Sequence, residues 1–127
     1  MPIIPLNFNA PWPNKKIKEL ADVIGGGTPS TNIEEYWDGN INWFTPSEVG
    51  QSKYVSESER KITKEGLNKS SAKLLPKNTI LLTTRATIGR VSITNTEATT
   101  NQGFQSMICK TVDFNFLYYL IQTLEKS

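Results

Sequence analysis

Histidine is absent from all 127 residues. That removes the commonest general base near neutral pH and the commonest zinc ligand. Cysteine occurs once, at Cys109, which excludes an internal disulfide and suits a reducing cytoplasm. With no histidine to activate it, and set in the apolar stretch "FQSMICK", Cys109 reads as an inert thiol. Long apolar runs are missing too. The longest, "FLYYLI" at 116–121, falls far short of the ~20 residues a membrane helix needs. The opening "MPIIPLNF" has two prolines and no basic region, so it does not read as a secretory signal. Four carboxylates, Glu34, Glu35, Asp38 and Glu48, lie near one another but lack the spacing of a metal loop. The glycine run "GGGTPS" at 25–30 is not followed by Lys-Ser or Lys-Thr at Walker spacing, and it follows helical periodicity instead of preceding it. It reads as a terminator. Catalysis by this chain alone has little to stand on.

What is present is an ordinary globular composition with an uneven distribution of charge. From Glu19 to Glu59 there are eight acids and one base, a balance of −7; from Arg60 to Arg90 there are eight bases and one acid, a balance of +7. Neighbouring blocks of opposite sign suggest a polarised surface, and a basic patch concentrates anionic partners. The alternative is that these lysines simply solvate a loop-rich surface.

The length fits one domain. "NKKIKELADVIGGG" predicts a helix capped by Asn14, with Ile17, Leu20, Ala21 and Ile24 on one face and Gly25 as its stop. "NINWFTPSEV" alternates through Ile41, Trp43 and Thr45 and predicts a strand ending at Pro46. Ser56 and Glu59 stand at capping-box spacing, predicting short helical turns in the stretch that follows. A Pro76-Lys77-Asn78 turn leads into strands expected at 79–84, 89–93 and 104–110. The last segment, 113–127, predicts a helix with Leu117, Leu120, Ile121 and Leu124 on one face. Short strands between unlike helices, without a regular βαβ repeat, predict an α+β fold: one compact domain with a twisted mixed or antiparallel sheet. Trp37, Trp43 and Phe104 are expected in its core.

The order of these blocks is itself informative. "KKIKELADVIGGGTPST", "YWDGNINWFTPSEV", "ITKEGLNKSSAKLLPKNTILLTTRATIGRVSI", "TTNQGFQSMI" and "FLYYLI", in that order, resemble the target recognition domain of type I restriction-modification specificity (S) subunits. The resemblance runs from about Lys15 to Ile121. It implies an N-terminal extension at 1–14, a recognition domain at 15–112, and the start of a spacer or assembly helix at 113–127, as if half a subunit were cut there. It also implies a function: sequence-specific reading of one half of a split target in double-stranded DNA, with no catalysis in this chain. Methyltransferase (M) and restriction (R) subunits would be its partners, and S-adenosylmethionine, ATP and Mg2+ would belong to them.

On that reading Arg85 and Arg90 in "TTRATIGR", with Lys69 and Lys73, are candidate DNA contacts, since unpaired cations are expected where phosphates neutralise them. Arg85 could instead bond backbone carbonyls. Shared frame residues should hold the DNA backbone, so base readers are sought in less family-like stretches. The first is "GQSKYVSESER", with Ser52, Lys53 and Tyr54; the second is "NTEAT" at 95–99; Gln105 is added because glutamine can pair with adenine. Leu117, Leu120, Ile121 and Leu124 are the candidate partner-binding stripe. Two other readings stay open: the recognition domain of a fused type II restriction-methylation enzyme, and an interaction module that docks a protein through its last helix without binding DNA.

Overall fold

The computed structural model describes residues 18–84 and 90–126, with side chains up to residue 123. The described strands are β1 (Ala21–Gly25), β2 (Trp37–Phe44), β3 (Tyr54–Val55), β4 (Arg60–Ile62), β5 (Ile80–Leu82), β6 (Val91–Thr94), β7 (Ala98–Thr100) and β8 (Gln105–Cys109). Two helices, α1 (Lys64–Asn68) and α2 (Phe114–Lys126), accompany them. The strands form two sheets, ordered β1-β8-β5-β6-β3 and β4-β2-β7. The first is mixed, because β3 joins β6 in parallel while its other pairs are antiparallel. The α+β expectation is met.

Alternation of side chains across the strands builds the layers. Ala21, Ile80, Leu82, Val91, Ile93 and Met107 point to one face of the larger sheet, where Leu117, Tyr118 and Ile121 of α2 cover them. Leu81 points to the other face and meets Phe44, Val49, Leu75, Ala98 and Phe104. Phe44 and Ala98 come from the smaller sheet, so this second cluster fills the space between sheets. Trp37, Trp43 and Ile62 occupy the far face of the smaller sheet with Leu67 of α1 against them. The two indoles meet edge to face at 5.0 Å. All three aromatics expected in the core are buried.

Two segments fold differently from the expectation. The helix expected to run to Ile24 has only residues 18–20 helical among those described, and Ala21–Gly25 is a strand paired along its whole length with β8. Ala21 and Val23 face one core and Ile24 the other. The same apolar residues fit both periods, and the open edge of β8 together with β-branched Val23 and Ile24 selects the strand. Asn14 and Ile17 lie outside the described residues.

The second difference follows residue 56. Ser56 and Glu59 cap nothing; their segment leads into β4, which pairs antiparallel with β2 and buries Ile62 completely. The helix begins only at Lys64, capped by Thr63, whose hydroxyl accepts from the Gly66 amide at 3.0 Å. The capping box falls instead at Thr45–Glu48, where the Thr45 amide donates to the Glu48 carboxylate at 2.8 Å. Burial of Ile62 against two tryptophans outweighs a weak local cap, which contributes only about 1 kcal/mol.

Candidate nucleic-acid interface

Strand direction carries several loops to one end of the domain. β1 finishes at Gly25 opposite Gln105, where β8 starts. β5 runs toward the same end, with Thr83 bridging Phe104. β6 starts there: the Thr83 amide donates to the Arg90 carbonyl and the Arg90 amide to the Thr83 hydroxyl, both at 2.9 Å. In the smaller sheet β2 and β7 run in parallel and finish together, Phe44 opposite Thr100. Since β3 parallels β6, the chain between Phe44 and Tyr54 crosses this end as well. Segments 26–30, 45–53 and 101–104 therefore form a rim, joined by Thr84 and Arg90, the residues on either side of 85–89.

The rim is held by close backbone joints. The Gly27 amide donates to the Thr100 carbonyl at 2.9 Å, and the Gly27 carbonyl accepts from the buried Trp43 indole at 3.0 Å. The Asn101 amide donates to the Phe44 carbonyl and the Thr84 amide to the Gly103 carbonyl, each at 3.0 Å. A Cβ on Gly26 would lie 2.1 Å from the Asn101 carbonyl oxygen, so no larger residue fits without moving the loop. The "GGGTPS" run is thus a joint between sheets, not a phosphate cradle. Across it the Thr28 hydroxyl donates to the side-chain carbonyl of exposed Gln102, whose N–H groups have no partner among the described residues. At the rim's other side Gly50 adopts φ +98°, its amide donates to the Ser92 hydroxyl at 2.9 Å, and that hydroxyl donates to the Ser52 carbonyl at 2.6 Å. The stem of Arg90 packs beside Gly50 while the residue stays exposed.

Many of the candidate DNA contacts gather here. Ser52 and Arg90 are exposed on the rim, and Gln105, half-buried, starts β8 beneath it. Lys69 and Lys73 are exposed on the segment after α1, whose Ser71 and Ala72 backbone closes against Gly27. Among the described residues none of Lys69, Lys73 and Arg90 forms an ion pair. Arg85 lies outside the described residues. Lys53 and Tyr54 turn elsewhere, toward α2. The Lys53 ammonium donates to the Tyr119 hydroxyl at 3.2 Å, and this bond raises its pKa above the ordinary lysine value. The Tyr54 hydroxyl donates to Asn115 at 3.3 Å.

Several expectations need correction. Most of the "NTEAT" stretch is taken up by the frame: Ala98 and Thr99 are buried, Thr96 bonds Asn42 and Ser56, and the exposed Asn95 and Glu97 follow β6 at the end opposite the rim. Two bases of the +7 block are taken up locally, since Lys61 pairs with Glu57 at 2.7 Å and the Arg60 guanidinium lies 3.8 Å from the Trp37 ring centre. The apolar stripe of α2 is not free either. Leu117 and Ile121 are fully buried in the domain's own core and Leu120 packs against it, because this face covers the larger sheet. Leu124 lies beyond the described side chains. The exposed large apolar residues of α2 are Phe116 and Tyr119. The polar residues Gln51 and Ser47 were not singled out in the sequence, although both sit in the loop after β2, a position only strand direction identifies as part of the rim.

Among the described residues no cluster of Asp, Glu and Cys could hold a metal ion. A cavity of about 500 Å3 opens between Ile41, Leu67 and Leu74, on the α1 side, with Lys64 and Glu97 also on its wall. Burial, followed by the charge of Asp113, pushes the Cys109 thiol above its ordinary pKa, the opposite of an activated nucleophile.

The family described as "Type I restriction modification DNA specificity domain" matches residues 9–127. The chain belongs to this family. The specificity-domain match reaches further toward the N-terminus than the motifs quoted above. Among curated relatives, the MjaIX specificity subunit of Methanocaldococcus jannaschii is 48% identical over 119 residues, covering 91% of this chain and 28% of the relative. The EcoR124I/EcoR124II specificity subunit of Escherichia coli is 34% identical over 113 residues, covering 84% and 28%. The chain thus spans little more than a quarter of each. Among solved structures, the HsdS subunit from Thermoanaerobacter tengcongensis shares the fold with a TM-score of 0.68 at 16% identity, over 87% of this chain and 27% of that one.

Proposed function

We propose that this specificity domain reads one half of a bipartite target in double-stranded DNA and directs the M and R subunits of a type I restriction-modification complex to it. The observation that carries the reading is the rim. Loops from both sheets end on one side of a DNA specificity domain and present Arg90 beside Ser52, Gln51 and Gln102, with Lys69 and Lys73 exposed on the segment that closes against Gly27; among the described residues none of the three cations has an ion-pair partner. Arginine and lysine neutralise phosphates, while amides and hydroxyls can meet base edges. Arg85 lies outside the described residues and stays a proposed DNA contact on the family resemblance alone. The similarity to type I specificity subunits favours this reading over a fused type II enzyme or a protein-docking module.

On this reading the chain supplies specificity and no chemistry. S-adenosylmethionine, ATP and Mg2+ are needed by its partners, the complex acts in the cytoplasm where DNA is found, and the isolated domain neither methylates nor cleaves a duplex. No described helix is long and apolar enough to cross a membrane.

Salt titration of binding to a randomised duplex pool tests the proposal. If the rim neutralises about three to five phosphates, a log–log plot has a slope near −0.9 per phosphate and affinity falls roughly 40-fold to 500-fold between 50 and 200 mM salt. A flat plot, or no binding at low salt, would refute it.

A further inference from the structure

Lys53 and Tyr54 follow directly on the rim loop, yet their side chains are spent on the C-terminal helix. The Lys53 ammonium donates to the Tyr119 hydroxyl at 3.2 Å and lies 4.8, 5.4 and 5.6 Å from the ring centres of Tyr119, Tyr54 and Tyr118. The neighbouring Tyr54 hydroxyl reaches Asn115 at 3.3 Å. Asn115 and Tyr119 stand four residues apart, hence on one face at the base of α2. β3 itself cannot shift freely: the Lys53 carbonyl accepts from the Ile93 amide at 2.7 Å and the Val55 carbonyl from the Asn95 amide at 2.8 Å.

We infer that Lys53 and Tyr54 are positioning residues, a polar clasp that fixes the direction in which α2 leaves the domain relative to the recognition rim, and that they do not read bases. The helix is then held on two faces, by Leu117 and Ile121 in the core and by Asn115 and Tyr119 at the clasp. Its first turn is capped by Asp113, whose carboxylate accepts from the Asn115 amide at 2.9 Å. Direction matters because error grows along a helix. A tilt of about 10° at the base moves the far end of these 13 residues, about 20 Å away, by about 3 Å. The loop from Gly50 to Ser52, bonded through Ser92 to β6, connects rim and clasp without a break in the hydrogen-bonded chain. Any change in that loop's seat is therefore felt at the helix.

The inference rests on the proposed DNA reading only in the second half of its test. Spin labels at Ser47→Cys and Thr123→Cys, in a Cys109→Ser background of the whole chain, report the rim-to-helix distance. Lys53→Met and Tyr119→Phe should each broaden the distance distribution about twofold, and Lys53→Arg should restore it. In unlabelled protein, the bases selected from a randomised duplex pool should not change in any of the three variants. Tyr119→Phe deletes one exposed oxygen, so it decides the matter even if Lys53→Met fails to fold. Unchanged widths together with relaxed preference at one base pair would overturn the clasp and make Lys53 a reader. If the unsubstituted chain selects no sequence at all, the DNA-reading proposal fails, while the distance widths still decide the clasp.

Discussion

Two hydrophilic regions of this domain look alike in sequence and behave oppositely in space. Around Asn42, in β2, the polar groups are used up. Its side-chain N–H groups donate to the Ser56 carbonyl and the Thr96 hydroxyl, each at 3.1 Å, and its oxygen accepts from the Ser58 amide, the Ser58 hydroxyl and the Lys61 ammonium. Lys61 is further occupied by Glu57. At the rim Arg90 and Gln51 are exposed, Lys69 and Lys73 are exposed on the segment beside it, and among the described residues the N–H groups of Gln102 have no partner. A buried polar group must be satisfied from within, whereas an exposed one with spare donors costs nothing to leave open. Residual hydrogen-bonding capacity, not residue type, separates frame from candidate contact. "NTEAT" and "GQS" are equally polar stretches, yet the exposed Asn95 and Glu97 of the first follow β6 at the end opposite the rim, while the second lies on it.

The sharpest way to break this comparison is to remove the keystone of the satisfied region. Asn42→Ala strands buried donors and acceptors on three segments and should lower stability by about 3 kcal/mol in urea unfolding, without altering which bases the folded fraction selects. Next comes the joint of the rim. Gly26→Ala forces a Cβ into the Asn101 carbonyl and should cost about 2 kcal/mol by thermal melting, with affinity for DNA falling alongside. Arg90→Ala should separate the regions cleanly: melting stays the same while the salt slope of DNA binding drops by about one. Lys69→Ala and Lys73→Ala should each lower the slope by less, since exposed flexible cations at the margin of the surface are partly screened already. The smallest effect lies away from both regions, at Cys109. Its pKa is raised on folding, so iodoacetamide should alkylate it more slowly than free glutathione at neutral pH. Because the folded value exceeds the unfolded one, the thiol's contribution to stability is complete at neutral pH. It should be lost only as pH climbs through the folded value, which urea midpoints across the alkaline range would detect.

Legibility in the sequence followed burial. The strands at 80–82 and 105–109 and the helix from Phe114 were readable because their apolar residues keep one period and their cores are filled by those residues. Ala21–Gly25 was not, because five residues fit either period and only the neighbour β8 chooses between them. β3 and β7 went unseen for another reason: each is three residues or fewer and owes its pairing to the strand beside it. Of the candidate contacts, Arg90 and Ser52 lie on the rim, Gln105 starts β8 beneath it, and Lys69 and Lys73 are exposed on the segment after α1. Lys53, Tyr54 and the stripe of α2 were placed by what lies next to them in sequence, and their side chains found partners far along the chain.

By itself the sequence determined what this domain is made to lack and which family it belongs to. Absent histidine, a lone cysteine and the ordered motifs follow from residue identity, which no folding event can change. Tertiary structure decided which of the polar residues remain available. Lys53 meets Tyr119 at a sequence separation of 66, and Thr28 meets Gln102 at a separation of 74. Contacts of that span depend on strand order and register, which local propensity does not encode. Whether a cation here meets a tyrosine, as Lys53 does, or stays exposed, as Arg90 does, is therefore settled by the topology of the two sheets, not by the residue or its neighbours.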